Sequence, residues 1–560
     1  MSNIVKNAEL QLKTCIESAV KEAMNSGQLP ENDMPEIQIE IPADRSHGDY
    51  STNIAMAGAR IFRMAPPKIA DIIVKNLKLE NTYFKTATIA GAGFINFTLG
   101  ENYYSDILLD VGKKRETYGH SDFGNGKKVL VEFVSANPTG PMHVGNARGG
   151  ALGDTLAEVL TWAGYYAERE FYVNDAGNQI EKFALSLDIR YRQHFGEEVE
   201  MPEDAYQGAD ITAHAENFAK KYGDKYINAD ENERKNALVD FALPLNIEGL
   251  RRDLMAYRIE YNTWFKESTL HNNGEVDRTI ELLKNSGHTY ESEGALWFKA
   301  TDFGCDKDFV LVRSNGIPTY IVPDIAYHYN KLAVRNFDIA IDVLGADHHG
   351  YIPRLKAALN ALGVDSDRLQ VVLMQMVRLI NMQGEVIKAS KRSGKAITLV
   401  TLLDEVSTDA ARFEFNRREA NTHCDFNIDL AVEKSSQNPV YYCQYAHARI
   451  CSILEKSGAG SINATAEQLN NLTHDAEKEL IRHIAGLTDE VINAAKQLDP
   501  SKITRYVYDL ATLFHKFYNA CRCDCDDVDL KTARLYLCKC TKQVLANVFA
   551  LLKITAPEEM

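Results

Sequence analysis

One junction constrains this chain more than any other feature in it. The run "KKVLVEFVSA", Lys127 to Ala136, is nearly continuous in apolar residues, as a strand buried on both faces of a sheet is. It passes through "NPTG" into "PMHVGNARGGALGD", where Pro138 and Gly140 turn the chain. From Asn146 onward Leu152, Leu156, Val159, Leu160 and Ala163 share one face of a helix that Gly164 ends. His143 and Gly145 therefore stand where the carboxyl end of a strand meets the start of a helix. Free backbone N–H groups and the helix dipole make such a junction favourable for phosphate, and open α/β sheets bind ligands there. Gly145 has no side chain to keep a flat base or a phosphate away from the backbone. His143 and Asn146 can each donate a hydrogen bond to a phosphate oxygen. A glycine-rich turn with a packing histidine fits the same residues. Glu132, in the middle of the apolar strand, needs a partner for its carboxylate.

A second element changes the balance. In "GEVIKASKRSGKAITL" the cations Lys388, Lys391, Arg392 and Lys395 lie among small residues, after the last strand-like run. Alone this is a solvated basic loop. Beside a phosphate-accepting junction it can neutralise charge on a leaving pyrophosphate.

The remaining organisation follows from length and patterning. A chain of 560 residues exceeds one hydrophobic core and divides into three or four domains. Residues 1–115 read as a small α+β module, with a helix at the start, another after Pro66 and Pro67, and the alternating run "TATIAGAGFINFTLG". Residues 116–182 open an α/β domain, and the acidic, helical stretch 183–290 reads as an insertion. Strand-like runs return over 291–430 at "DFVLVR", "TYIV", "FDIAIDVLGAD" and "LQVVLMQMV", so the sheet should be parallel and covered on both faces. Residues 431–560 are helical almost throughout and suggest a bundle.

Composition excludes several classes. With 45% hydrophobic and 25% charged residues the chain is neither disordered nor fibrous, and no apolar run reaches the ~18 residues of a membrane span. The N-terminus alternates apolar and charged residues without a signal-peptide block, so the expected location is the cytosol. A net charge of -16 argues against a globally basic nucleic-acid binder, but 15 Lys plus Arg against 16 Asp plus Glu from Ala431 onward leave that segment at only -1. The 10 cysteines read as reduced thiols. Cys521, Cys523, Cys525, Cys538 and Cys540 lack the two-residue gap of structural zinc sites, and neither they nor His348 and His349 are expected to hold a metal.

These motifs resemble a known family, the class I aminoacyl-tRNA synthetases, and within it the arginyl enzymes. "VEFVSANPTGPMHVGNARGGALGD" is similar to the family's "HIGH" signature and "KASKR" to its "KMSKS" signature. The likeness continues through "FYVNDAGNQI", "GALWFKATDFG", "TYIVPDIAYH", "VLGADHHGYIPRLKAAL" and "QNPVYYCQYAHARI" to "LLKITAPEEM", and so spans nearly the whole chain. Two departures stand out. Asn146 replaces the second histidine of the first motif, and Ala389 replaces the methionine of the second.

The resemblance implies an α/β fold: a Rossmann-like parallel-sheet catalytic domain with an insertion, an N-terminal α+β module and a C-terminal all-α helical bundle. It implies an arginine–tRNA ligase that forms arginyl-adenylate from L-arginine and ATP, then charges the 3′ end of tRNA(Arg). ATP would arrive with Mg²⁺, and no permanently bound cofactor is implied. His143, Gly145, Asn146, Lys388, Ser390 and Lys391 would serve ATP. Glu132, Tyr320 and Asp324 would meet the guanidinium, and Asn137 and Asp347 the α-amino group. A helix N-cap is the alternative role for Asp324, and Asn174 and Asp175 read as turn residues. Tyr441, Tyr445 and Arg449 would contact tRNA, and residues 1–115 its elbow. The expected working unit is a monomer. The rival readings are another class I synthetase or nucleotidyl transferase, and a catalytically silent RNA-binding relative.

Overall fold

The computed structural model describes residues 3–387, 397–459 and 461–560. Its centre is a five-stranded sheet of β1 (Lys128–Glu132), β2 (Tyr166–Val173), β3 (Thr263–Lys266), β4 (Ile339–Gly345) and β5 (Leu369–Met374), in the order β5-β4-β1-β2-β3. Every neighbouring pair in it is parallel. The chain leaves β1 toward β2 on one side and reaches β4 on the other, so β1 and β4 flank the switch point where the carboxyl-end crevice of such sheets opens.

Helix α1 (Val144–Trp162) follows β1 and is buried along most of its length. Its glycines divide by role. A Cβ on Gly153 would fall 2.2 Å from the Phe133 ring, and one on Gly150 2.9 Å from Ile259, so both let the helix lie close against the sheet and its neighbours. A Cβ on Gly145 would meet nothing within 4 Å. Gly145 alone faces open space.

Helices α2 (Asn178–His194), α3 (Ala209–Tyr222) and α4 (Glu231–Ala256) form the insertion, packed on a separate small core that includes Phe183, Leu187, Ile211, Phe218 and Leu238. This insertion is shorter than the sequence reading of 183–290: β3 already belongs to the main sheet, paired with β2 from Glu170↔Thr263 to Val173↔Lys266. Two further expectations are corrected. "DFVLVR" contributes Phe309–Val312 to a separate three-stranded antiparallel sheet with Thr289–Ser292 and Ala295–Phe298. "TYIV" is not a strand but the start of helix α5 (Ile321–Tyr329).

The N-terminal module is a four-stranded antiparallel sheet covered by helix Pro66–Asn76, on which helix Asn3–Asn25 packs in turn. It docks on the C-terminal bundle, where Arg482 of the bundle reaches Asp49 at 2.7 Å and the Tyr104 hydroxyl at 2.8 Å. The bundle contains α6 (Pro439–Lys456), α7 (Ser501–Ala520) and α8 (Val528–Leu552). Helix α8 is apolar and long enough to cross a membrane by length and composition, and 72% of its most apolar window is buried inside the protein.

Candidate active site

A cavity of about 620 Å³ opens at the carboxyl end of β1, lined among others by Ser135, Asn137, His143, Asn146, Asp210 and Thr398. The structure thus brings His143, Asn146 and Asn137 to one cavity, with Gly145 between the first two in sequence. His143 is the N-cap of α1 (φ -73°, ψ 156°), yet its side chain bonds none of the helix N–H groups. The exposed imidazole remains available to a ligand. The Asn246 amide of the insertion donates to the Pro138 carbonyl at 2.9 Å, tying α4 to the loop before the motif.

Residues 388–396, which hold Lys388, Ser390 and Lys391, lie outside the described residues. The segment that follows them is bonded to the junction: the Ile397 carbonyl accepts from Val144 N at 3.3 Å, and Leu399 N donates to the Met142 carbonyl at 3.0 Å.

The backbone between β1 and the cavity is strained. Val134 and Ser135 have φ of 69° and 40°, and a β-branched residue in the left-handed region is an outlier that surrounding contacts must hold. The Ser135 hydroxyl supplies such contacts, donating to Glu132 Oε1 at 2.9 Å and accepting from Tyr172 N at 3.1 Å.

Beneath this loop lies a row of acidic side chains. Asp342, Glu132 and Glu170 stand in register across β4, β1 and β2, all buried. Lys331, just beyond α5 and itself fully buried, donates to Glu132 Oε2 at 2.5 Å and Asp342 Oδ1 at 2.9 Å. Arg335 pairs with Glu170 at 2.6 Å, and the Tyr327 hydroxyl donates to the same carboxylate at 2.7 Å. Burial works against charge on Lys331 and Asp342, but mutual attraction outweighs it, raising the lysine pKa and lowering that of Asp342. The sequence reading assigned Glu132 to the guanidinium of the substrate. In the structure the partner of its buried carboxylate is Lys331. Glu132, His328 and Asp342 also form the one group of three metal-type ligands found among the described residues, but the Lys331 ammonium already bonds both of its carboxylates.

A different acidic pair stands beside this row. Asp324 lies in the first turn of α5 rather than at its N-cap, which is Tyr320. Its carboxylate accepts a short hydrogen bond from the Tyr351 hydroxyl, and its carbonyl contacts His328 Nδ1 at 2.7 Å. Glu267 follows β3 at the start of the short helix Glu267–Asn272. It is fixed by its neighbour Ser268, whose N and Oγ each donate to Asp175 at 2.8 Å, and by the Tyr172 hydroxyl. Burial raises the pKa of both carboxyls, and the Asp324 charge raises that of Glu267 further. Two anions that oppose each other's ionisation in a half-buried setting favour a cation between them, and a guanidinium can accept both through separate N–H groups. Tyr172, against both acids and Glu132 and bonded through its N–H to Ser135, links this pair to the cavity wall.

Sequence reasoning missed Glu267. An acidic residue directly after the strand-like "TWFK" was the available signal. The predicted Tyr320 is 65% exposed, and the Asp347 side chain is 84% exposed in a 3₁₀ turn after β4 that also carries His348 and His349. Both stand on the carboxyl-end side of the sheet.

On the bundle, α6 carries an aromatic face. The Tyr441 and Tyr445 rings stack at 6.4 Å, His515 of α7 stacks on Tyr445 at 6.1 Å, and the Arg449 guanidinium lies 4.4 Å over the Tyr518 ring. Tyr445 is 39% exposed.

Three family descriptions cover this architecture in order. Residues 10–99 match the arginyl tRNA synthetase N terminal domain, 107–452 the class I (R) tRNA synthetase catalytic domain, and 443–560 the DALR anticodon binding domain. Arginine–tRNA ligases of Ruminiclostridium cellulolyticum and Acetivibrio thermocellus are 51% and 49% identical to the chain, each over 100% of both sequences. The chain belongs to the arginyl-tRNA synthetases. The Thermus thermophilus arginyl-tRNA synthetase structure has the same fold, with a TM-score of 0.72 and 23% identity over 98% of this chain and 100% of that one. Membership makes the chain a class I ligase with arginine, ATP and tRNA as substrates. In an arginyl-tRNA synthetase, the aromatic face of α6 and α7 belongs to the anticodon-binding domain. His515 and Tyr518 join it from α7, a partnership that the sequence of α6 alone could not reveal.

Proposed function

We propose that this chain activates L-arginine at the crevice between β1 and β4 and transfers it to the 3′-terminal ribose of tRNA(Arg). In the first step the arginine carboxylate attacks the α-phosphorus of ATP, a P–O bond forms, and pyrophosphate leaves. In the second a ribose hydroxyl attacks the acyl carbon and AMP leaves. Neither step demands a strong general base, so the rate comes from positioning and charge stabilisation.

His143, Asn146 and the open backbone at Gly145 hold the phosphates. Lys388 and Lys391, with Ser390, close over them as charge passes to pyrophosphate. Connectivity supports this role, because Lys391 is six positions before Ile397, and Ile397 is bonded to Val144. At about 3.5 Å per residue the tether is at most ~20 Å. Mg²⁺ would arrive with ATP and would supply charge neutralisation on its phosphates. Asp324 and Glu267 take the guanidinium, while Asn137 and Asp347 address the α-amino group and Tyr320 borders the entrance. Tyr441, Tyr445 and Arg449 take anticodon bases by stacking and phosphate contact. The proposed working unit is a monomer in the cytosol.

The observation that carries this reading is the Asp324–Glu267 pair beside the cavity that holds His143 and Asn146. Arginine-dependent ATP–pyrophosphate exchange in the presence of tRNA(Arg) tests it. Exchange with arginine and none with lysine or citrulline is expected, and absence of exchange would favour a silent RNA-binding relative. The same assay without tRNA measures whether activation needs the bound nucleic acid.

A further inference from the structure

Outside the sites above, one chemically competent pair stands out in the bundle. Cys523 lies in the loop joining α7 to α8, and Cys538 lies within α8. Their sulfurs are 3.9 Å apart. Cys523 lines a cavity of about 630 Å³ whose walls include Lys456, Tyr518, Arg522 and Lys531, whereas Cys538 is fully buried behind it. We propose that Cys523 and Cys538 form a reversible peroxide-reactive dithiol, with Cys523 as the attacking sulfur and Cys538 as the resolving one.

The neighbours separate the two roles. The hydrogen bond between the two sulfurs lowers the Cys523 pKa against the opposing effect of burial, and the Arg534 guanidinium lowers it further. The same hydrogen bond, with burial, raises the Cys538 pKa. Cys521, two residues away, is no competitor as a thiolate: burial and the Glu477 carboxylate push it up to about 11. A thiolate forms where a cation and a donor support it, and oxidation follows thiolate character and access. The opening of the cavity gives a small hydroperoxide access to Cys523 and not to Cys538.

The chemistry balances with a hydroperoxide as oxidant. The Cys523 thiolate attacks the outer oxygen of ROOH, the O–O bond breaks, and the leaving alkoxide takes a proton to give ROH and a sulfenic acid. The Cys538 sulfur then attacks the Cys523 sulfur, the S–O bond breaks, and hydroxide leaves as water with the Cys538 proton. Two thiols lose two electrons, and ROOH becomes ROH and water. Closing the sulfurs from 3.9 Å to the ~2.05 Å of a disulfide asks for movement of about 2 Å, which the non-helical loop can supply. Among the bonds that hold that loop are the Arg522 carbonyl, which accepts from Arg534 Nη1 at 2.9 Å, and Asp524, which accepts from Lys531 Nζ at 2.6 Å. A small external thiol reverses the reaction.

The test uses the reduced full-length protein, equimolar hydrogen peroxide, a thiol-blocking quench and peptide mass spectrometry. The expected product is a Cys523–Cys538 cross-link, about 2 Da lighter than the reduced pair, formed before any change at Cys15 or Cys525 and reversed by dithiothreitol. In Cys538→Ala the sulfenic acid should persist on Cys523 and take a dimedone tag. Oxidation of the wild-type protein beginning at Cys15 or Cys525, or pairing of Cys523 with Cys521 or Cys525, would overturn the proposal. So would absence of a dimedone tag in a Cys538→Ala protein whose thermal melting matches wild type.

Discussion

Replacing Asp324 by Asn separates a binding carboxylate from a structural one, because the two roles give opposite signs in two assays. The amide keeps the shape of the side chain and an oxygen for the Tyr351 hydroxyl, so packing is preserved while the charge is lost. Unit charges about 4 Å apart attract by roughly 4 kcal/mol at an effective dielectric constant near 20. After desolvation, a hydrogen bond to a charged group retains about 1.5–3 kcal/mol. At about 1.36 kcal/mol per factor of ten, the arginine KM should rise about 10- to 150-fold, with kcat less affected. Stability should move the other way. Burial holds the Asp324 carboxyl above its ordinary pKa. The folded state therefore binds its proton more tightly than the unfolded state, and stability falls as pH rises from the unfolded pKa through the folded one. At neutral pH this carboxylate is a cost, so the variant should melt at the same temperature as the wild type or higher. The assay is arginine-dependent exchange with saturating tRNA, paired with thermal melting of the free protein. An unchanged KM, or a raised KM with a clear drop in melting temperature, would refute the reasoning.

Other perturbations test other parts of the site. Because Asp324 and Glu267 are both shifted upward and bind a cation only when ionised, the arginine KM should climb on acidification within a window above the usual carboxylate range, and a flat profile there would count against the pair. Lys331→Met leaves two buried carboxylates without their cation and should destabilise the catalytic domain by about 3–5 kcal/mol, read as a lower melting temperature that Glu132→Gln partly restores. Lys391→Ala should slow adenylate formation in single turnover while arginine affinity stays nearly intact, and Asn146→His should keep turnover within about tenfold, because either side chain can donate to phosphate. Tyr445→Ala should weaken tRNA binding by about 1–3 kcal/mol and leave the arginine KM at saturating tRNA unchanged.

The parts of this molecule that were legible in sequence are those whose signal is local. The change of period between Val129 and Leu160 marks a strand and a helix, and it locates His143 and Gly145 without long-range information. Glu132 shows the limit of that logic. Its isolation in an apolar strand required a partner, but the partner, Lys331, is 199 positions away, so the same requirement was met equally well by a substrate cation. "TYIV" was misread because its aromatic and β-branched residues favour strands, although Pro323, early in the segment, is compatible with a helix start. "DFVLVR" alternates because it is a strand, but local patterning cannot say which sheet it joins. Glu267 depends on Asp175 and Tyr172 for its placement, and the strained backbone at Val134 and Ser135 has no counterpart in composition or period.

The most direct test of the central claim is a crystal structure with L-arginine and a non-hydrolysable ATP analogue bound. The guanidinium should lie within hydrogen-bonding distance of both Asp324 and Glu267, and the triphosphate against His143, Asn146 and the amino end of α1. A guanidinium held by Glu132 in place of Lys331, or phosphates bound away from His143, would contradict it.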